Sequence, residues 1–208
     1  MKKDKIFLRI IIAVIGLMIS GIGVGIFLYS GLGVDPASVL ELGLGNVFHL
    51  GYGTASALTN LVILVIVFIV DKSYINLSSL LAIFGIGYTA DFTNFILDIT
   101  IGADLEIIIK VVMILAGCLI MAVGVATYIR ADLGVGAIDM VSEVISDKLK
   151  ISYRVVRVVC DISFVVFGYI LGGTIGAGTV VAAFMVGPAV QFVRPYVHKA
   201  IDRILKTG

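Results

Sequence analysis

Gly31-Leu32-Gly33-Val34-Asp35-Pro36 decides how this chain is read, because Asp132-Leu133-Gly134-Val135-Gly136-Ala137 repeats it at an offset of 101 residues. Each stretch is a backbone breaker that leads into a short apolar segment, 36–48 in one case and 137–149 in the other. Asp35 before Pro36 is a strong helix start: proline suits the first helical position, and the carboxylate accepts from free backbone N–H groups. The correspondence extends outward on both sides. Gly16, Gly23 and Tyr52 fall on Gly117, Gly124 and Tyr153 at the same offset. After a one-residue slip near Asp71, Ala82, Phe84, Gly87 and Phe92 fall on Ala182, Phe184, Gly187 and Phe192. The chain is one pattern written twice, and it divides into repeats 1–103 and 104–208.

Composition excludes a soluble protein. Hydrophobic residues make up 60% of the chain, charged residues 14%, and the mean hydropathy is +1.17. Six segments approach or exceed the roughly 20 residues a helix needs to cross a bilayer: Ile6 to Tyr29, Tyr52 to Val70, Leu77 to Leu97, Leu105 to Ile129, Tyr153 to Leu171 and Thr174 to Val193. The expected fold is therefore all-α and membrane-embedded, with three crossings in each repeat. Three is odd, so the second repeat must sit upside down relative to the first, an arrangement common among secondary transporters. The short segments 36–48 and 137–149 are then either re-entrant helices or helices lying flat on the surface, with Glu41, Glu143 and Lys148 among the headgroups.

Charge sets the orientation. With both termini cytoplasmic, Lys110 is the one basic residue of 15 placed outside, as the positive-inside tendency requires. The basic tail 194–208 reads as a headgroup anchor. Tyr29, Tyr52, Tyr74, Tyr128, Tyr153, Tyr169 and Tyr196 fall at predicted helix ends, where a ring with a polar tip is comfortable. Cys118 and Cys160 lie inside predicted crossings, His49 and His198 are far apart, and there is neither a metal-ligand cluster nor a Gly-rich phosphate loop. No nucleophile is paired with a base. Enzyme chemistry, a cofactor, a bound metal and nucleic-acid binding are accordingly not expected; the bilayer and a small solute are the expected partners, and self-association into a homo-oligomer stays open.

Polar residues inside apolar helices mark the candidate site, since an ionisable group at that depth costs about 3 kcal/mol and normally faces a partner or a cavity. Asn60 and Asp161 are repeat equivalents, as are Asp91 and Gln191. Arg157 stands one turn before Asp161, so the pair is read either as mutual neutralisation or as a charge relay. Gly33 and Gly134 in the two breakers complete the set together with the residues of the short segments.

The Gly-Leu-Gly-Val-Asp-Pro turn, its echo Asp132-Leu-Gly-Val-Gly-Ala-Ile-Asp139, and the stretch from Gly178-Thr179 to Gly187-Pro188 resemble the YczE/YyaS/YitT family of bacterial integral membrane proteins over essentially the whole chain. The family pattern places an acidic residue after the Leu-Gly-x turn and a histidine three residues beyond it. Asp139 fits the acidic position in the second repeat; Ser38 takes that position in the first, and Glu41 stands where histidine is usual. The resemblance implies a multi-pass protein of the bacterial inner membrane, with transport suggested for some relatives. The expected function is secondary transport of a small solute by alternating access. The rival reading is a non-transporting scaffold that supports another complex through the loop from Arg130 to Arg154.

Overall fold

The computed structural model describes residues 3–102 and 105–207, so the expected junction at 103/104 lies outside the described residues. Eight α-helices follow one another: α1 (Lys3–Ser30), α2 (Pro36–Phe48), α3 (Tyr52–Asp71, continued by a 3-10 turn at Lys72–Tyr74), α4 (Leu77–Ile101), α5 (Ile107–Arg130), α6 (Ala137–Leu149), α7 (Tyr153–Ile170) and α8 (Ala177–Thr207). The order long, short, long, long thus occurs twice. No strand is present among the described residues.

Among the described residues, five stretches are long and apolar enough to cross a membrane: Ile6–Ser30, Tyr52–Tyr74, Leu77–Ile101, Ile107–Arg130 and Ala177–Leu205. The sixth expected crossing exists as α7 but falls short of that standard, because its 18 residues carry Arg154, Arg157 and Asp161. Another departure concerns the basic tail. Instead of ending near Val193, α8 runs on through Pro195 to Thr207. Packing accounts for this: Ile201 is buried with Ile12, Ala13 and Ala131, and Arg130 pairs with Asp202, so the tail docks on the ends of α1 and α5.

At the centre α1 packs along α4 and α5, and α5 along α8. The crossing of α1 with α5 is antiparallel, since Gly16 meets Gly124 whereas Gly23 meets Gly117. A Cβ on Gly23 would lie 2.7 Å from the Met121 nitrogen and 2.8 Å from the Gly117 oxygen, so only glycine lets these backbones touch. Large apolar side chains such as Ile69, Ile108, Ile170 and Phe184 point outward, the inverse of a soluble protein and the surface that lipid requires.

The short helices sit inside this frame. Pro36, Ser38, Val39, Glu41, Gly43 and Gly45 are buried, and α2 packs against α7 and α3. A Cβ on Gly43 would come 2.5 Å from the Gly168 oxygen, so the α2 and α7 backbones are in contact. The flat surface placement of Glu41 among headgroups is thereby overturned for α2: its polar side is turned into the protein. On α6, Ala137, Met140, Ser142 and Val144 are buried, and Lys148 pairs with Asp71 at 3.1 Å.

Candidate functional site

The first half of the site is built by the start of α2 and one face of α3. Asp35 caps α2 as the Asp-Pro pair predicts, its Oδ1 accepting from the Ser38 backbone N–H at 3.3 Å and its Oδ2 from the Ser38 hydroxyl. The Ser38 and Tyr52 hydroxyls are hydrogen-bonded at 2.9 Å. About one turn further along α2, Glu41 Oε1 accepts from the Ser56 hydroxyl at 2.9 Å and from Asn60 Nδ2 at 3.4 Å. Tyr52, Ser56 and Asn60 recur every fourth residue of α3 and therefore form one polar stripe. Asp35 is 7% exposed and Glu41 3%. Burial pushes the Asp35 carboxyl up, opposed by the Ser38 hydrogen bonds and the charge of Arg157. Burial pushes the Glu41 carboxyl up to about 8; hydrogen bonds from Tyr52, Ser56 and Asn60 oppose this, and the charge of Asp35 adds to it.

The second half repeats the plan with different chemistry. On α7 the stripe is Tyr153, Arg157 and Asp161, the equivalents of Tyr52, Ser56 and Asn60. Arg157 Nη1 donates to Asp139 Oδ1, and Tyr128 donates to Asp139 Oδ2 at 2.7 Å. The Arg157 Nε lies 3.1 Å from Asp161 Oδ1 and donates to Oδ2 at 3.2 Å, a geometry that leaves Oδ1 without a hydrogen-bond donor. One turn beyond Asp139, Ser142 is completely buried and its hydroxyl has no partner among the described residues. The two halves meet, because the packing of α2 on α7 brings Asp35 within electrostatic reach of both Arg157 and Asp161.

Of the residues singled out in the sequence, Ser38, Glu41, Asn60, Asp139, Arg157 and Asp161 gather in this cluster. The others lie elsewhere. Asp91 on α4 accepts from the Gly53 N–H at 2.8 Å and so caps the start of α3. Gln191 is exposed on α8. Gly33, at φ +109, lies against Gly176 and Thr179, and Gly134, at φ +97, against the side chain of Asn76; both are tight turns that admit no Cβ. Sequence reasoning missed Tyr52 and Tyr128 as site residues. Expected at the bilayer boundary, both are buried, and their hydroxyls are held by the cluster. The available signal was the four-residue spacing of Tyr52-Ser56-Asn60 and Tyr153-Arg157-Asp161 in matching places.

Beside the cluster, an apolar groove of about 1040 Å³ runs between α2, α3, α6 and α7, with Leu40, Ala55, Thr59, Val144 and Phe164 among its walls. Leu40, Ala55 and Thr59 are the chain neighbours of Glu41, Ser56 and Asn60. The side chains of the polar cluster do not themselves line the groove.

A helical bundle that turns its apolar residues outward and gathers its charges inside is a multi-pass α-helical membrane protein. The chain belongs to the family of unknown function DUF6198, whose profile matches residues 7–195. It is 32% identical over 181 residues to an uncharacterized protein of Haemophilus influenzae (strain ATCC 51907 / DSM 11121 / KW20 / Rd), covering 87% of this chain and 81% of that one. From Bacillus subtilis (strain 168), the uncharacterized membrane protein YczE is 27% identical over 194 residues (93% and 88% of the two chains) and the uncharacterized protein YyaS 25% over 185 (89% and 92%). The kinship with YczE and YyaS read from the Leu-Gly-x turns therefore holds. No solved structure matches the chain.

Proposed function

We propose that this protein is a secondary transporter that carries a small solute across the bacterial cytoplasmic membrane by alternating access between two inverted halves. The observation that carries the proposal is the buried polar cluster at the seam of the halves, built from equivalent positions of both and approached by the starts of two short helices. Buried charge at such a place is expensive and normally marks a solute or ion path. In this reading α7 is the sixth crossing, its charges sheltered by the cluster, and both termini face the cytoplasm.

Inversion draws support from the central crossing. Exchanging each residue for its repeat equivalent turns the contact of Gly16 with Gly124 into that of Gly117 with Gly23, as a two-fold axis between antiparallel helices would. The packing of α1 on α4 recurs as α5 on α8, and that of α2 on α7 as α6 on α3. One relation fails. α3 packs along α4, where a Cβ on Gly87 would lie 2.8 Å from Ser56 Cβ, whereas nothing lies within 4 Å of Gly187, the equivalent residue on α8. Equivalent helices thus hold two arrangements, and alternating access consists in exchanging them.

The test is uptake by proteoliposomes of a solute found by a stability screen of the purified protein. Asp161→Asn is expected to abolish flux while leaving the protein folded. Full flux in Asp161→Asn, or no solute moved at all by the wild type, would count against transport.

A further inference from the structure

The site is short of positive charge. Two exposed helix amino termini would favour an anion, but a carboxylate of the chain stands at each: Asp35 caps α2, and Asp139 lies in the first turn of α6, where it makes no cap hydrogen bond. Arg157 is the cation of the cluster, and it is occupied twice over, by Asp139 and Asp161. Asp35 and Glu41 have hydroxyl, amide and backbone donors around them but no ion-pair partner within hydrogen-bond distance. Two further groups keep acceptor capacity among the described residues: Asp161 Oδ1 is buried and, though 3.1 Å from Arg157 Nε, accepts no hydrogen bond, and the wholly buried Ser142 hydroxyl, one turn beyond Asp139 on the same side of α6, has no partner. Ser142 is also the repeat equivalent of Glu41. An anion entering here would meet four carboxyl groups and a spent guanidinium. A cation would find carboxylate and hydroxyl oxygens still able to accept.

We propose, building on the transporter reading, that the solute is an organic cation, bound at Asp35 and Asp161 and exchanged for a proton held on Glu41. The balance is simple. Glu41 carries the proton when the site is empty of solute, the cation's arrival displaces it to water, and the cation's departure lets it return, so the net charge of the buried site is the same in both states. The ionisable groups around Glu41 are Asp35 at the start of its own helix, Tyr52 on α3, and Arg157 and Asp161 on α7, whose charges act on Asp35; the α8 segment Gly176–Thr179 packed against Gly33 carries none.

The experiment uses the detergent-purified full chain and two sets of probes: tetraphenylphosphonium, ethidium and agmatine as cations, and benzoate, naphthoate and glutarate as anions. The expected result is stabilisation by at least one cation and by none of the anions. Apparent affinity for that cation should fall by up to roughly tenfold per pH unit below the Glu41 titration, since the cation at Asp35 and Asp161 is bound tightly only once Glu41 has given up its proton. Adding it to weakly buffered wild-type protein should release protons. Glu41→Gln should hold the affinity at its acid-limit value at every pH, and proton release by the wild type keeps the test decisive where that variant does not fold. Stabilisation by an anion, by none of the cations, or by a cation without pH dependence overturns the proposal. Proton-linked cation binding without movement across a vesicle membrane would refute transport alone, whereas uptake of an anion would refute the cation assignment alone.

Discussion

Arg157→Met strands two carboxylates at once. Asp139 keeps the Tyr128 hydroxyl, while Asp161 is left with no donor among the described residues. Removing one partner of a fully buried pair costs about 3–5 kcal/mol. The side chains of Arg157, Asp139 and Asp161 are 31%, 28% and 21% exposed, so water screens part of this and about 2–3 kcal/mol is expected. At about 2–4 °C per kcal/mol for a chain of this size, the midpoint should drop by roughly 5–10 °C. The chain has no tryptophan, but Cys118 and Cys160 are both free and buried, so a thiol-reactive dye reports unfolding directly. The combined variant Arg157→Met, Asp139→Asn, Asp161→Asn removes the charges together and should recover most of the loss. A single variant as stable as wild type would refute the reasoning, as would a triple variant no better than the single.

Two further outcomes follow from the same geometry. The folded protein holds a proton on Glu41 at pH values where the unfolded chain has lost it, so stability should be greatest below the unfolded value of 4.5 and decline as pH rises through about 8; Glu41→Gln should flatten that decline in a midpoint-versus-pH series. In a background without the native cysteines, Leu58→Cys with Phe84→Cys, beside one crevice between α3 and α4, should be bridged by a bifunctional thiol reagent, and the equivalent pair Val159→Cys with Phe184→Cys only as the second half adopts the arrangement of the first. A second pair that is never bridged in membranes would deny the exchange.

Much of the frame could be read before any coordinates, because membrane insertion ties helix length and apolarity directly to the chain. The cap at Asp35 and the breakers at Gly33 and Gly134 come from local rules. The rest depends on which elements meet. Asp91 reads as a buried charge in an apolar helix, yet the approach of α4 to α3 makes it a cap on Gly53. Tyr52 and Tyr128 stand at helix ends, and only the insertion of α2 and α6 beside them makes those ends interior. Arg157 and Asp161 suggest a self-contained pair one turn apart; Asp139 enters because α6 packs against α7. The tail of α8 carries proline and basic residues that argue for a stop, but its docking on α1 and α5 outweighs them.

His49 and Lys150 are repeat equivalents, each an exposed left-handed cap at the end of a short helix, at φ 55 and φ 56. Single cysteines there, placed in a chain lacking the native ones and treated in whole cells with a membrane-impermeant thiol reagent, report which compartment each short helix faces. Two opposed halves enclosing the site require His49→Cys to be labelled from outside and Lys150→Cys only after the membrane is opened. Labelling of both from the same side would contradict the account.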